Sequence, residues 1–126
     1  MDRQIHASEW KIMEFLWEES PKTLMQIVKA MGEQVGWAKS TVTTMVTRME
    51  AKGLLRFEEG GKAKLIFPAV SREEVASRET TSLLDRMFGG SVTSLVAQFV
   101  NSRSISRQEI DELHELLRKA EEENNE

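Results

Sequence analysis

A chain of 126 residues has room for one ordinary domain, or for a small domain with an added oligomerisation element. Hydrophobic residues make up 40% and charged residues 30%, a globular rather than a disordered composition, and the absence of cysteine excludes a disulfide framework or a thiolate metal site. No apolar run nears the roughly 20 residues that span a bilayer, and MDRQIHASEW lacks the apolar stretch of a secretion signal, so the expectation is a soluble, cytoplasmic protein without membrane insertion.

The net charge of −4 conceals an asymmetry. Residues 1–70 carry ten Lys/Arg against nine Asp/Glu, residues 71–126 seven against twelve, and the stretch from Trp37 to Lys64 six against three. A local basic surface, not the overall balance, neutralises phosphates. The acidic end EEENNE reads as a solubilising tail.

Ser8 reads as the N-cap of a first helix, with Glu9 in a first turn where negative charge suits the helix dipole. Trp10, Met13, Leu16 and Trp17 form its apolar stripe with Ile12 at the edge, and Ser20-Pro21 breaks it. Thr23 caps a second helix with the stripe Leu24, Ile27, Val28 and Met31, and Gly32 and Gly36 bracket its end.

The third helix, Lys39 to Gly53, is the most informative segment. Wound at about 100° per residue, it places Val42, Met45, Val46 and Met49 on one core-facing arc. The opposite side carries Ser40, Thr43, Thr44, Thr47 and Arg48, with Lys39 and Lys52 at the ends and Glu50 on one flank. A solvated helix face normally mixes Glu with Lys, because opposite charges at i,i+4 stabilise it. Small hydroxyls and cations without acids instead suit close approach to phosphates and base edges. Gly53 stands at the expected C′ position.

The period then changes. Leu54 to Phe57 and Ala63 to Phe67 are short apolar runs joined through Glu58, Glu59, Gly60, Gly61 and Lys62, which reads as a β-hairpin with a Gly-Gly turn, ended by Pro68. Three helices followed by a hairpin predict a winged helix-turn-helix, whose third helix enters the major groove while the hairpin wing reaches the adjacent backbone.

Beyond Val70 the pattern is helical again, with Ser71, Ser91 and Ser106 as N-caps; Ser106 and Glu109 form a capping-box pattern. Gly89-Gly90 interrupts the first of these helices. The apolar series are Leu83, Leu84, Met87 and Phe88, with Val75 at their head; then Val92, Leu95, Val96, Phe99 and Val100; then Ile110, Leu113, Leu116 and Leu117. Three short amphipathic helices make a poor independent core, and pairing with a second copy would bury their stripes. Packing onto the first domain is the alternative. The predicted architecture is mainly α with a small β-hairpin: a winged helix-turn-helix DNA-binding domain over residues 1–70 and an α-helical dimerisation domain over residues 71–126.

The run SEWKIMEFLW, the stretch from Thr23 to Ile27, STVTTMVTRMEAKGLL and the wing ending in FP together resemble the BlaI/MecI/CopY family of bacterial transcriptional repressors, of the penicillinase repressor type. The tryptophan-containing first helix combined with Thr41-Val42-x-Thr44, Arg48-Met49 and Lys52-Gly53 carries the likeness. The resemblance implies a homodimeric repressor on inverted-repeat DNA operators near promoters, with a role in antibiotic resistance by kinship. It also implies release through a membrane-bound sensor metalloprotease that leads to a cut in the dimerisation region. In such repressors the cut falls beside an Asn-Phe step, and the matching place here reads Gln98-Phe99. Copper-sensing members carry a carboxy-terminal cysteine cluster that this chain lacks.

The expected division of labour has Lys39, Arg48, Lys52, Lys62 and Lys64 on phosphates and Ser40, Thr43, Thr44 and Thr47 on bases, through hydroxyl hydrogen bonds and thymine-methyl contacts. For Arg48 a guanine contact is the alternative. One module reads few base pairs, so specificity needs two copies on a two-fold site. Trp10 and Trp17 read as core residues, Trp37 is left open, and His6 and His114 read as surface histidines. No catalytic constellation, metal site or cofactor is expected. Two other functions share these features: a winged-helix regulator released by direct small-molecule binding, and a protein-interaction module that uses the fold without DNA.

Overall fold

The computed structural model describes residues 4–125; the first three residues of the amino-terminal stretch and Glu126 of the acidic tail lie outside the described residues. Helices α1 (Glu9–Glu18), α2 (Leu24–Val35) and α3 (Lys39–Ala51) precede strands β1 (Leu55–Gly60) and β2 (Ala63–Pro68), and α4 (Arg72–Phe88), α5 (Val92–Ser102) and α6 (Arg107–Asn124) follow. The chain divides into two compact units, the first ending at Ser77 and the second beginning at Arg78, so the division falls inside α4.

In the first unit the apolar stripes meet in one core. Ile12, Met13 and Leu16 of α1, Ile27 and Met31 of α2, and Val42, Val46 and Met49 of α3 close on Leu54, Leu55 and Ile66 of the hairpin. Burying a side chain of this size contributes about 1.5–3 kcal/mol, so these positions decide how the helices sit. Ile12 is a centre of the α1 stripe rather than its edge, being fully buried while Trp10 and Trp17 are half-buried against the core. The tryptophans stay at the rim because an indole N–H needs a partner when covered. That of Trp17 donates to the Val70 carbonyl at 2.9 Å. Trp37, left open above, also packs against the core.

The helix ends follow local chemistry. Thr23 and Gln26 form a reciprocal capping box at the start of α2, and Gly36 closes that helix in the left-handed region. At the end of α3 the Leu54 N–H donates to Met49 O and the Gly53 N–H to Glu50 O, both at 2.9 Å, a Schellman motif that needs the positive φ of Gly53. Ser8 departs from expectation. It precedes α1 with helical backbone and no side-chain cap bond. The helix start is instead tied by a reciprocal pair, the Glu9 carboxylate accepting from the His6 N–H at 2.9 Å while the Glu9 N–H donates to His6 O.

The hairpin is longer than its apolar runs. Its register runs from Leu55↔Pro68 to Gly60↔Ala63, so Glu58, Glu59 and Gly60 belong to the strand and the turn is Gly61-Lys62 alone. Gly61 supplies the positive φ such a two-residue turn demands. Lys22, just before α2, adds a bridge to this sheet by exchanging both backbone bonds with Ile66.

In the second unit Ser91 and Ser106 cap as expected, accepting from the Ser94 and Glu109 N–H groups at 3.1 Å each. No described residue of α5 or α6 is buried. Two helices cannot cover each other's stripes on all sides: Val92, Leu116 and Leu117 each keep 62% of their surface exposed and Phe99 keeps 47%.

Candidate nucleic-acid interface

The outward face of α3 exists because the other face is anchored. With Val42, Val46 and Met49 buried, the helical period turns Ser40, Thr44, Thr47 and Arg48 to solvent. Thr43 lies on the flank and is half-buried. Thr41, absent from the sequence-based set, is exposed as well; the same wheel puts it about 20° past Arg48 on the side away from Thr44, so its position was readable. Ala38 supplies no side-chain cap, and the first turn carries no acidic residue. The first N–H groups of α3 therefore stay open beside the exposed Lys39, an arrangement that favours anions.

The five predicted phosphate-binding cations separate into three kinds. Lys39, Arg48 and Lys62 are exposed, and their side chains make no hydrogen bond or ion pair among the described residues. Lys52 does not belong with them. Its ammonium donates to Glu9 Oε1 at 2.7 Å and to the Gln4 carbonyl at 3.0 Å, and the pair is 16% and 5% exposed at the side chains. A lysine committed to a buried carboxylate across the fold is a structural clamp between α3 and α1 rather than a free phosphate-binding cation. Lys64 is intermediate. The register puts it across from Glu59 and on the strand face shared by Phe57 and the buried Ile66, with its ammonium 4.5 Å from the Phe57 ring centre. Only Lys62 of the two wing lysines stands in the turn. Arg56, on the opposite strand face, lies 4.2 Å over the Phe67 ring and 3.1 Å from Glu58.

Glu50 is the one acid that intrudes on this surface from α3. Partial burial pushes its carboxyl above the usual range, and the positive charge of Lys64 opposes that shift. A carboxyl raised by folding supports stability below its unfolded pKa and loses that contribution as pH rises through the folded value. At neutral pH the ionised Glu50 is therefore a cost. The E50Q variant is expected to match or exceed wild-type stability at pH 7, by up to about 0.5 kcal/mol, with the difference vanishing below about pH 4. It should also bind DNA about two-fold more tightly through loss of a negative charge near phosphates. Thermal unfolding at pH 7 and pH 3.5 checks the first part; a variant less stable than wild type at pH 7 contradicts it.

The predicted apolar residues of the second unit are also accounted for. Leu83, Met87, Val92, Val96, Phe99, Val100, Leu113, Leu116 and Leu117 are exposed, whereas Leu84, Phe88, Leu95 and Ile110 are half-buried. Gln98 is exposed on α5 beside Phe99. Between α5 and α6 lies an open cavity of about 290 Å³ that Val96, Phe99, Leu113 and Leu116 help to line. His6 and His114 are exposed, and no described group of three or more His, Asp or Glu is placed to hold a metal ion. No helix among the described residues is long and apolar enough to cross a membrane.

The sequence profile of the penicillinase repressor family matches residues 5–119. The methicillin resistance regulatory protein MecI of Staphylococcus aureus is 25% identical over 116 residues, covering 92% of this chain and 94% of that protein. The penicillinase repressor of Bacillus licheniformis is 26% identical over 114 residues, covering 90% and 89%. The solution structure of the DNA binding domain of the repressor BlaI superposes with a TM-score of 0.53 at 24% identity, over 57% of this chain and 88% of that one. That likeness extends to the fold of the winged helix.

Proposed function

The chain belongs to the penicillinase repressor family, and from that premise we propose that it represses transcription as a homodimer on inverted-repeat DNA operators and is released by proteolysis near Gln98-Phe99. Repression is named in the Bacillus licheniformis relative, and both repression and a DNA binding domain in the BlaI structure. The observation that supports it most here is the outward face of α3: exposed Ser40, Thr44, Thr47 and Arg48, an open helix start at Lys39, and no acid at its centre. Such a face costs little to bring against a polyanion.

The homodimer is supported by the second unit, in which no described residue of α5 or α6 is fully buried and a run of large apolar side chains is left to water. A monomer rarely keeps such a patch uncovered. A second copy is the fitting cover, because a two-fold partner brings the same stripe to the same stripe. It also brings a second recognition helix, which a two-fold operator needs. Cleavage between Gln98 and Phe99 would cut α5 in the middle of that stripe and separate α6 from the rest. The scissile step is reachable in the single chain, since both residues are exposed. The proteolytic signal would come from a membrane-bound metalloprotease, a transient partner.

The test is binding to a dyad-containing promoter duplex as salt is raised, followed by exposure to membranes of the source cells. With Lys39, Arg48 and Lys62 from each of two copies on phosphates, log K should fall against log[salt] with a slope of about −5. Induced membranes should then yield a fragment ending near residue 98 and free DNA. A flat salt response rejects nucleic-acid binding, and release of an intact chain by a small metabolite rejects the proteolytic step.

A further inference from the structure

Besides Thr41, four small hydroxyls face outward or sideways on α3, and their hydrogen bonding divides them into two kinds. Thr43 Oγ1 lies 2.8 Å from the Lys39 carbonyl oxygen, and Thr47 Oγ1 lies 2.9 Å from the Thr43 carbonyl oxygen. A carbonyl oxygen cannot donate, so in both pairs the hydroxyl proton points into the helix's own backbone. A hydroxyl has only one proton. With it committed, Thr47 presents lone pairs and a γ-methyl to whatever approaches. Thr43 is committed in the same way and is half-buried besides. Ser40 and Thr44 are exposed, and their hydroxyls make no hydrogen bond among the described residues. Their protons are free to turn outward.

The major groove distinguishes these two chemistries. Guanine N7 and O6 and thymine O4 accept hydrogen bonds, whereas the thymine 5-methyl is met by another apolar group. For Thr47 to donate, it would have to break an existing hydrogen bond and gain an equivalent one, with no net advantage. Its methyl is usable with no rearrangement. Thr44 gives up nothing but solvent when it donates.

We infer that the recognition helix reads its operator in two ways: Thr44, with Ser40 one turn before it, donates to base acceptors, while Thr47 reads a thymine through methyl contact. This assignment rests on the DNA-reading function proposed above. It turns a run of similar residues into two specificity determinants with opposite tolerance to substitution. Valine keeps the branched shape and methyl of threonine but has no hydroxyl. Serine keeps the hydroxyl but has no methyl.

A duplex enriched by the wild-type chain from a randomised double-stranded library serves as the probe for four variants. T47V should bind it within about three-fold of wild type and T47S should be weaker by about five-fold or more, whereas T44S should bind normally and T44V should show the five-fold loss. Replacing each thymine of the duplex by uracil removes only the methyl and leaves the protein untouched. One position should then weaken wild type and T47V but leave T47S without further loss. T47V losing as much as T44V, or the lack of any uracil-sensitive position coupled to Thr47, overturns the assignment while DNA reading stands. Failure of the wild-type chain to enrich any sequence overturns the DNA-reading function, and this assignment with it.

Discussion

The K52A variant is expected to lose about 3–5 kcal/mol of unfolding free energy, although Lys52 sits at the end of a helix whose other cations are exposed. Its ammonium is the counter-charge for Glu9, whose carboxylate is 5% exposed. Deleting it would leave that carboxylate with only the His6 N–H as a described partner. Removing one member of a buried pair strands the other, and that stranded charge is the main cost. The double variant E9L/K52M removes both charges at similar volume and should recover most of the loss. Urea unfolding of the three proteins checks this, and a K52A protein within about 1 kcal/mol of wild type would show that water screens the pair. DNA binding offers an independent readout. In folded K52A the salt slope should be unchanged, whereas K62A should reduce its magnitude by about 0.9 per neutralised phosphate lost.

Placing a charge in the stripe of α5 should have the second large effect. The F99E variant is expected to sediment as a monomer and to bind a dyad operator about 10²–10⁴-fold more weakly, the usual worth of a second linked contact. A carboxylate at a position that a partner would cover must be desolvated on pairing, a cost that Arg103, lining the same cavity, offsets only in part. The winged-helix unit should be untouched, because its core draws nothing from α5. Its thermal transition therefore serves as the control. Sedimentation of F99E as a dimer would show that some other surface joins the copies.

Local signals in the sequence were enough for the elements. Thr23 and Gln26 are three residues apart and cap one turn; Gly53 ends α3 through a motif spanning six residues; the stripe Val42, Val46, Met49 is a property of the helical period alone. Each rests on neighbours within two turns, and none needs to know where the chain goes next. The outward hydroxyl face of α3 was legible for the same reason, and so was Thr41, had the wheel been followed to every position.

The roles of individual side chains were not legible in this way. In the sequence Lys52 is one more cation at the end of α3, and only the fold carries it to Glu9, 43 residues away in sequence. Ile12 looked peripheral because the stripe was centred on the larger tryptophans; the indole N–H of Trp17, bound to Val70 O, holds that ring at the rim instead. Lys64 looked equivalent to Lys62 until the hairpin register set it on the face shared with Ile66 and left Lys62 in the turn. The hydroxyl protons of Thr43 and Thr47 are directed by a rotamer choice that no residue pattern records.

The sequence by itself thus determined the order of elements, most of the caps and core stripes, and the face of α3 that turns to solvent, because periodicity and capping act over distances shorter than about two helical turns. The tertiary structure alone decided which cations are free. A charge's availability depends on what the fold brings beside it, and electrostatic partners are chosen by distance in space rather than along the chain.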